Sequence, residues 1–187
     1  MTSATSSSDR AKRDSAATRR AILDAAADLF CRDGYDNAGT RDIAGAAGVD
    51  PRLITRYFGS KEKLFAEVVD ELFAKTLLMT PGHNAEAAAG LLTTDPPERD
   101  GMMLTLRSVA NPRAAEIMRD HVERHYQKEL ADGLPGSHTA GRAALLIAIC
   151  AGVQLMRNVL HDSALADAEP LTPYLAKALD AVAYEHS

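Results

Sequence analysis

Residues 40–58, TRDIAGAAGVDPRLITRYF, hold two helix starts and two glycine stops so close together that only two short helices meeting at a tight turn can fit. Thr40 is placed as the N-cap of the first helix, with Asp42 in its first turn, where the helix dipole favours a carboxylate. Ile43, Ala44 and Ala47 carry that helix to Gly48, which stops it. Asp50 then caps the second, with Pro51 at the first helical position, where a missing N–H costs nothing. Gly59 closes it after eight residues. The result is a helix-turn-helix pivoting on Gly48-Val49.

The faces of the second helix separate by spacing. Val49, Ile54 and Phe58 point back towards the preceding helices, while Pro51, Arg52, Thr55 and Arg56 share the opposite face. Two guanidiniums on an outward face suit guanine O6/N7 or phosphate bidentately, and a helix of this size fits the major groove of duplex DNA. Tyr57, between the two faces, is placed to reach a backbone phosphate with its hydroxyl. Lys61 brings an ammonium to the start of the next helix, beside its unpaired N–H groups. The same residues also describe an ordinary solvated surface that happens to carry two arginines. The accumulation over adjacent positions favours the DNA reading.

The flanks are helical too. Ile22, Ala26, Leu29 and Phe30 form one apolar stripe, ended by Gly34. Ser60 caps a longer fourth helix with Leu64, Phe65, Val68, Leu72 and Phe73. Later breaks fall at Pro81-Gly82, Pro96-Pro97, Pro112, residues 133–136 and residues 170–173. No segment shows a period-two run of β-branched residues, so the chain reads as all-α with about nine helices. Residues 1–14 lack periodicity and read as a flexible basic tail whose Arg10, Lys12 and Arg13 are available to phosphates.

At 187 residues the chain is one domain of ordinary size or two small ones. The net charge of −5 is unevenly placed: residues 1–63 hold eleven Lys+Arg against nine Asp+Glu, and the remainder ten against seventeen. A mildly basic first third would meet a polyanion, and an acidic remainder would do something else. The expected division is residues 15–60 for DNA binding and 61–187 for a second helical domain. The longest apolar run, residues 143–153, is eleven residues against the roughly twenty of a membrane span, so none is expected. With no apolar stretch of a secretory signal near the start, and with Cys31 and Cys150 reading as core residues, a cytoplasmic setting follows.

The stretch from Thr18 to Phe65 closely resembles the N-terminal domain of the tetracycline-repressor (TetR) family of bacterial transcriptional regulators. The matching pieces are Arg19, Ile22-Leu23, Ala25-Ala26, Leu29-Phe30, Gly34-Tyr35, Thr40 with Asp42-Ile43-Ala44, Ala47-Gly48-Val49, and Phe58-Gly59-Ser60-Lys61 with Leu64. The resemblance implies a homodimer on a near-palindromic operator, and a helical C-terminal domain that binds a small effector and dimerises through its last two long helices. By position it passes DNA-contacting roles to Thr40, Arg41, Arg52, Thr55, Arg56, Tyr57 and Lys61. The family usually has Tyr where this chain has Thr55, and Tyr57 stands two places on, so base preference does not carry over.

Residues 140–160 are apolar nearly all round, with Leu145, Ile149, Val153, Met156 and Leu160 on one stripe. A last helix sets Leu175, Leu179 and Val182 on one face. Such a pair suits either an intermolecular four-helix bundle or an ordinary internal core. Met102, Met103, Leu106, Met118, Arg107, His121, His125, Gln154 and Arg157 are the candidate effector-binding residues, methionines being adaptable pocket walls. His121 and His125 have metal-ligand spacing, but Glu123 lies midway between them and faces away, unlike the metalloprotease pattern. No metal, cofactor or catalytic residue is expected. The competing reading is a helical metal-dependent enzyme with a chance helix-turn-helix-like segment.

Overall fold

The computed structural model describes residues 4–76, 83–95, 97, 99–167 and 169–184, with the side chains of 4–12 and 74–76 left aside. Among the described residues there are nine helices and no strand. In chain order, α1 is Ala4–Asn37, α2 Thr40–Ala46, α3 Arg52–Phe58, α4 Lys61–Thr76, α5 Asn84–Thr93 and α6 Gly101–Ser108. Helix α7 opens as Pro112–His121 and runs through a π-helical turn, Val122–Gln127, into Lys128–Gly133. Helix α8 is Thr139–Val159, its last five residues again π-helical, and α9 is Thr172–Ala183. The chain forms two compact units, Met1–Leu72 with Met103–Met118, and Phe73–Met102 with Arg119–Ser187. They do not part at residues 60/61, because most of α4 and the segment around α6 and the start of α7 join the first unit.

In the first unit, Ile22, Ala26 and Phe30 of α1, Ile43 of α2, Ile54 of α3 and Leu64, Phe65, Val68 and Val69 of α4 are almost wholly buried. The stripe read from the sequence is thus the core that these four helices share. Phe65 meets the rings of Phe30 and Tyr35 edge-on, at 5.0 and 4.9 Å between centroids. The buried Ser108 hydroxyl accepts from the Tyr35 N–H at 3.1 Å, and Asn111 donates to Asp36 at 2.6 Å, which fixes residues 103–118 on the end of α1.

Two local expectations need correction. Helix α1 begins at Ala4, not at Ser15, so the presumed tail continues the helix. Residues 4–14 lack an apolar stripe but contain no Pro or Gly, and helix propensity does not require amphipathicity. As expected, the helix stops at Gly34 (φ 78, ψ 172), and a separate helical turn follows it to Asn37. Gly39, not Thr40, is the N-cap of α2. Its carbonyl takes the Ile43 N–H, and the Asp42 carboxylate occupies the space a Cβ at Gly39 would need.

The second unit packs Ala88 of α5, Leu130 of α7, Leu134 just after α7, Ala143, Leu146 and Cys150 of α8, and Leu179 and Ala183 of α9 into one core. Arg142 ties the unit together. Its guanidinium donates to the carbonyls of Pro135 at 2.6 Å, Ser137 at 3.0 Å, Val182 at 2.8 Å, and Ala183, gathering carbonyls that the end of α9 leaves unpaired. Asn84, buried on α5, donates to Asp180 of α9 at 2.8 Å.

Helix α8 overturns the expectation from run length. It has 21 residues, and its most apolar 18-residue window has a mean hydropathy of 1.6, so by length and composition alone it is long and apolar enough to cross a membrane. Arg142, Gln154 and Arg157 interrupt the apolar run without ending the helix. Only 22% of its most apolar window is buried within the chain. The buried positions are Ala143, Leu146 and Cys150, whereas Leu145 and Leu160 of the predicted stripe stand 57% and 61% exposed.

Candidate nucleic-acid interface

The turn between α2 and α3 closes with short-range hydrogen bonds. Gly48 takes φ 67, its N–H reaches the Gly45 carbonyl at 3.1 Å, and the Val49 N–H reaches Ala44 at 2.9 Å. Pro51, not Asp50, is the N-cap of α3; Asp50 leads into it, its side chain accepting the Arg52 N–H at 2.8 Å and its carbonyl the Leu53 N–H. With α3 started there, Ile54 and Phe58 fall into the core and Pro51, Arg52, Thr55 and Arg56 fall on the exposed face. No side chain of the first unit pairs with the guanidiniums of Arg52 or Arg56 among the described residues; Arg56 only approaches the Tyr57 ring, at 5.9 Å. Two cations without an acidic partner among the described residues, beside a threonine, leave guanidinium N–H donors to offer outward.

The remaining sequence candidates divide. Thr40 is half-buried as the first residue of α2, and Arg41 is exposed next to it. Tyr57 is half-buried, its hydroxyl 3.1 Å from the Ser15 hydroxyl of α1. Lys61 is half-buried with its ammonium 4.5 Å above the Tyr35 ring, and burial pushes its pKa below the ordinary lysine value. Arg13 is exposed, whereas the side chains of Arg10 and Lys12 lie outside the described ones.

Three residues escaped sequence reasoning. Ser15 shares the Tyr57 hydroxyl. Arg19 of α1 lays its guanidinium 4.6 Å from the Phe58 ring centre and pairs with Glu67 of α4, which braces the inner side of α3. Lys63, not Lys61, is the exposed ammonium in the first turn of α4, where the Ser60 hydroxyl accepts its N–H at 3.2 Å. The signal for Lys63 was present, since a Ser cap fixes which residue follows three places on.

The candidate effector residues fall in both units. Met103, Leu106, Arg107 and Met118 belong to the first, and Arg107 donates there to the Arg32 carbonyl. Met102, His121, His125, Gln154 and Arg157 belong to the second. The rings of His121 and His125 lie 4.6 Å apart, and Phe73 stands 5.9 Å from His121. Arg157 alone of the set lines a cleft of about 260 Å³, with Asp95, Asn158, His161, Asp162, Leu165 and Ala166.

A short capped helix carried on a three-helix body, with two outward arginines that have no acidic partner among the described residues, defines a helix-turn-helix protein of the kind that reads DNA. Residues 22–68 match the bacterial regulatory proteins of the tetR family, and residues 85–182 match the tetracyclin repressor-like C-terminal domain. The chain belongs to the TetR family of bacterial regulators. It is 37% identical over 79 residues to the HTH-type transcriptional repressor NicS of Pseudomonas putida, a match covering 42% of this chain and 34% of that one. It is 31% identical over 128 residues to the HTH-type transcriptional repressor Rv3405c of Mycobacterium tuberculosis, covering 63% and 65%. The matches thus span about a third and about two thirds of those relatives. In fold it resembles NalD of Pseudomonas aeruginosa, the secondary repressor of the MexAB-OprM multidrug efflux pump, with a TM-score of 0.62 at 21% identity, covering 91% of this chain and 98% of that one. A TetR-family regulator from Rhodococcus sp. gives 0.65 at 20% identity, covering 90% and 100%.

Proposed function

We propose that the chain is a cytoplasmic transcriptional repressor that binds a near-palindromic duplex operator as a homodimer and is released by a small-molecule effector. The observation that carries this reading is the exposed face of α3, where Arg52 and Arg56 have no acidic partner among the described residues while Ile54 and Phe58 anchor the helix from behind. Arg52, Thr55 and Arg56 are the base readers; Arg41, Tyr57 and Lys63 are phosphate contacts, with Thr40, Pro51 and Lys61 setting the approach. The apolar exposure of Leu145, Met156, Leu160 and Tyr174 supports a second copy covering α8 and α9. Residues 15–60 then serve DNA, and 61–187 serve dimerisation and the effector.

A mobility-shift titration on duplex DNA tests the class of function. Retention of the duplex should fall steeply with salt, by roughly 10³-fold between 50 and 200 mM if a dimer neutralises about six phosphates, and a chelator should change nothing. Absence of a shift at low salt would sink the reading, and loss of the shift on chelation would favour the metal-dependent enzyme.

A further inference from the structure

The cleft in the second unit is organised around Arg157, a largely buried charge whose one ion pair among the described residues is a long one. Arg157, in the π-helical end of α8, has a side chain only 16% exposed. Its two hydrogen bonds both leave from Nη1, to the Thr94 carbonyl at 2.8 Å and the Asn158 side chain at 2.9 Å. Both acceptors are neutral. The acidic group that pairs with it among the described residues is Asp95, whose Oδ1 stands 3.7 Å from Nη2, within ion-pair range but beyond hydrogen-bond length, on a side chain 97% exposed.

A guanidinium carried this far out of water ordinarily has a carboxylate or phosphate on its planar fork. Here the Nη2 edge meets only a loosely held, solvent-borne carboxylate. Asp162, the other acid on the cleft, is committed to capping the turn Ser163–Leu165, accepting the Ala164 N–H at 2.9 Å. Leu165 and Ala166 add an apolar wall, and His161 stands at the rim in the left-handed conformation, φ 51, that ends α8, where the Asp162 N–H returns to the Met156 carbonyl at 3.0 Å.

We infer that this cleft is a site for a small organic acid, whose carboxylate takes the Arg157 fork in place of Asp95 and whose apolar body lies against Leu165 and Ala166. At about 260 Å³ the cleft limits the ligand to the size of a single ring with its acid group. The inference deepens the effector reading above, yet it stands on binding alone and is testable without DNA.

Benzoate serves as probe, with benzamide and sulfate as the neutral and the purely ionic comparisons. Calorimetric titration should find saturable benzoate binding at one site per chain, with benzamide and sulfate much weaker. Arg157→Gln should weaken benzoate roughly tenfold or more, the usual loss for a charged hydrogen-bonding partner. Asp95→Asn touches no packed group and removes the competitor, so it should strengthen benzoate by a few-fold. That variant keeps the test decisive if Arg157→Gln fails to fold. No saturable benzoate binding by about 10 mM, equal binding of benzamide or sulfate, or an Asp95→Asn variant that binds no better would each overturn the site. If benzoate binds as described but leaves DNA affinity unmoved, the site stands and its regulatory use fails.

Discussion

A Cβ at position 34 would stand 2.2 Å from the Arg107 carbonyl oxygen, on a backbone at φ 78 and ψ 172 that side chains rarely adopt. Gly34→Ala therefore adds a backbone collision to a conformational cost, and urea unfolding should show a loss of about 2–4 kcal/mol. Gly48, at φ 67 with open space around it, carries only the conformational cost, and Gly48→Ala should lose about 1 kcal/mol. Equal losses at the two positions would refute the contact. Burial pushes the Cys150 thiol up to about 11. The unfolded chain releases that proton near the ordinary thiol value, so it binds fewer protons than the folded chain between roughly pH 8.5 and 11. Stability must fall as pH rises through that window, on the order of 3 kcal/mol in all, and Cys150→Ala should flatten the fall. At the DNA surface, Arg52→Ala should cost about 1–3 kcal/mol on a preferred duplex and relax one base position, whereas Lys63→Ala should weaken all duplexes alike. An equal loss on preferred and random DNA would make Arg52 a phosphate contact.

Helix α3 has seven residues, too few to hold its orientation by its own hydrogen bonds, so its neighbours fix it. Arg19 lies against Phe58, and Ser15 meets Tyr57. Tyr57→Phe should weaken binding to every duplex by a similar factor, and Ser15→Ala should add little in that background if the two hydroxyls act as one unit. Additive losses in a double-mutant cycle would show them to be independent. The short helices were readable because caps and glycines are local signals: Asp50, Gly48, Ser60 and Gly59 each act within a few residues. The length of α1 was not readable, since residues 4–14 bury no stripe that could announce a helix. The π-helical turns in α7 and α8 carry no residue signal that distinguishes them from ordinary helix.

Leu145, at 57% exposed, and Leu160, at 61%, lie on the apolar stripe of α8, while Leu146 and Cys150 fill the core. The sequence shows the stripe but not which side of the helix its own chain covers, because α8 is apolar nearly all round. Arg52, Thr55 and Arg56 were legible as an outward face. Lys61 was not, since its burial depends on Tyr35, distant in sequence. Leu145→Asp should leave the fold intact and shift sedimentation from dimer to monomer, with a collapse in affinity for a two-site duplex. A variant that stays dimeric would remove α8 from the interface. The central claim, that two copies present two α3 helices to DNA, is tested most directly by selecting bound sequences from random duplexes and measuring how many chains each holds. The account predicts an inverted repeat whose half-sites lie about one helical turn, roughly 34–36 Å, or a modest multiple apart, with two or an even number of chains bound. An enriched site without two-fold symmetry, or one chain per duplex, would contradict it.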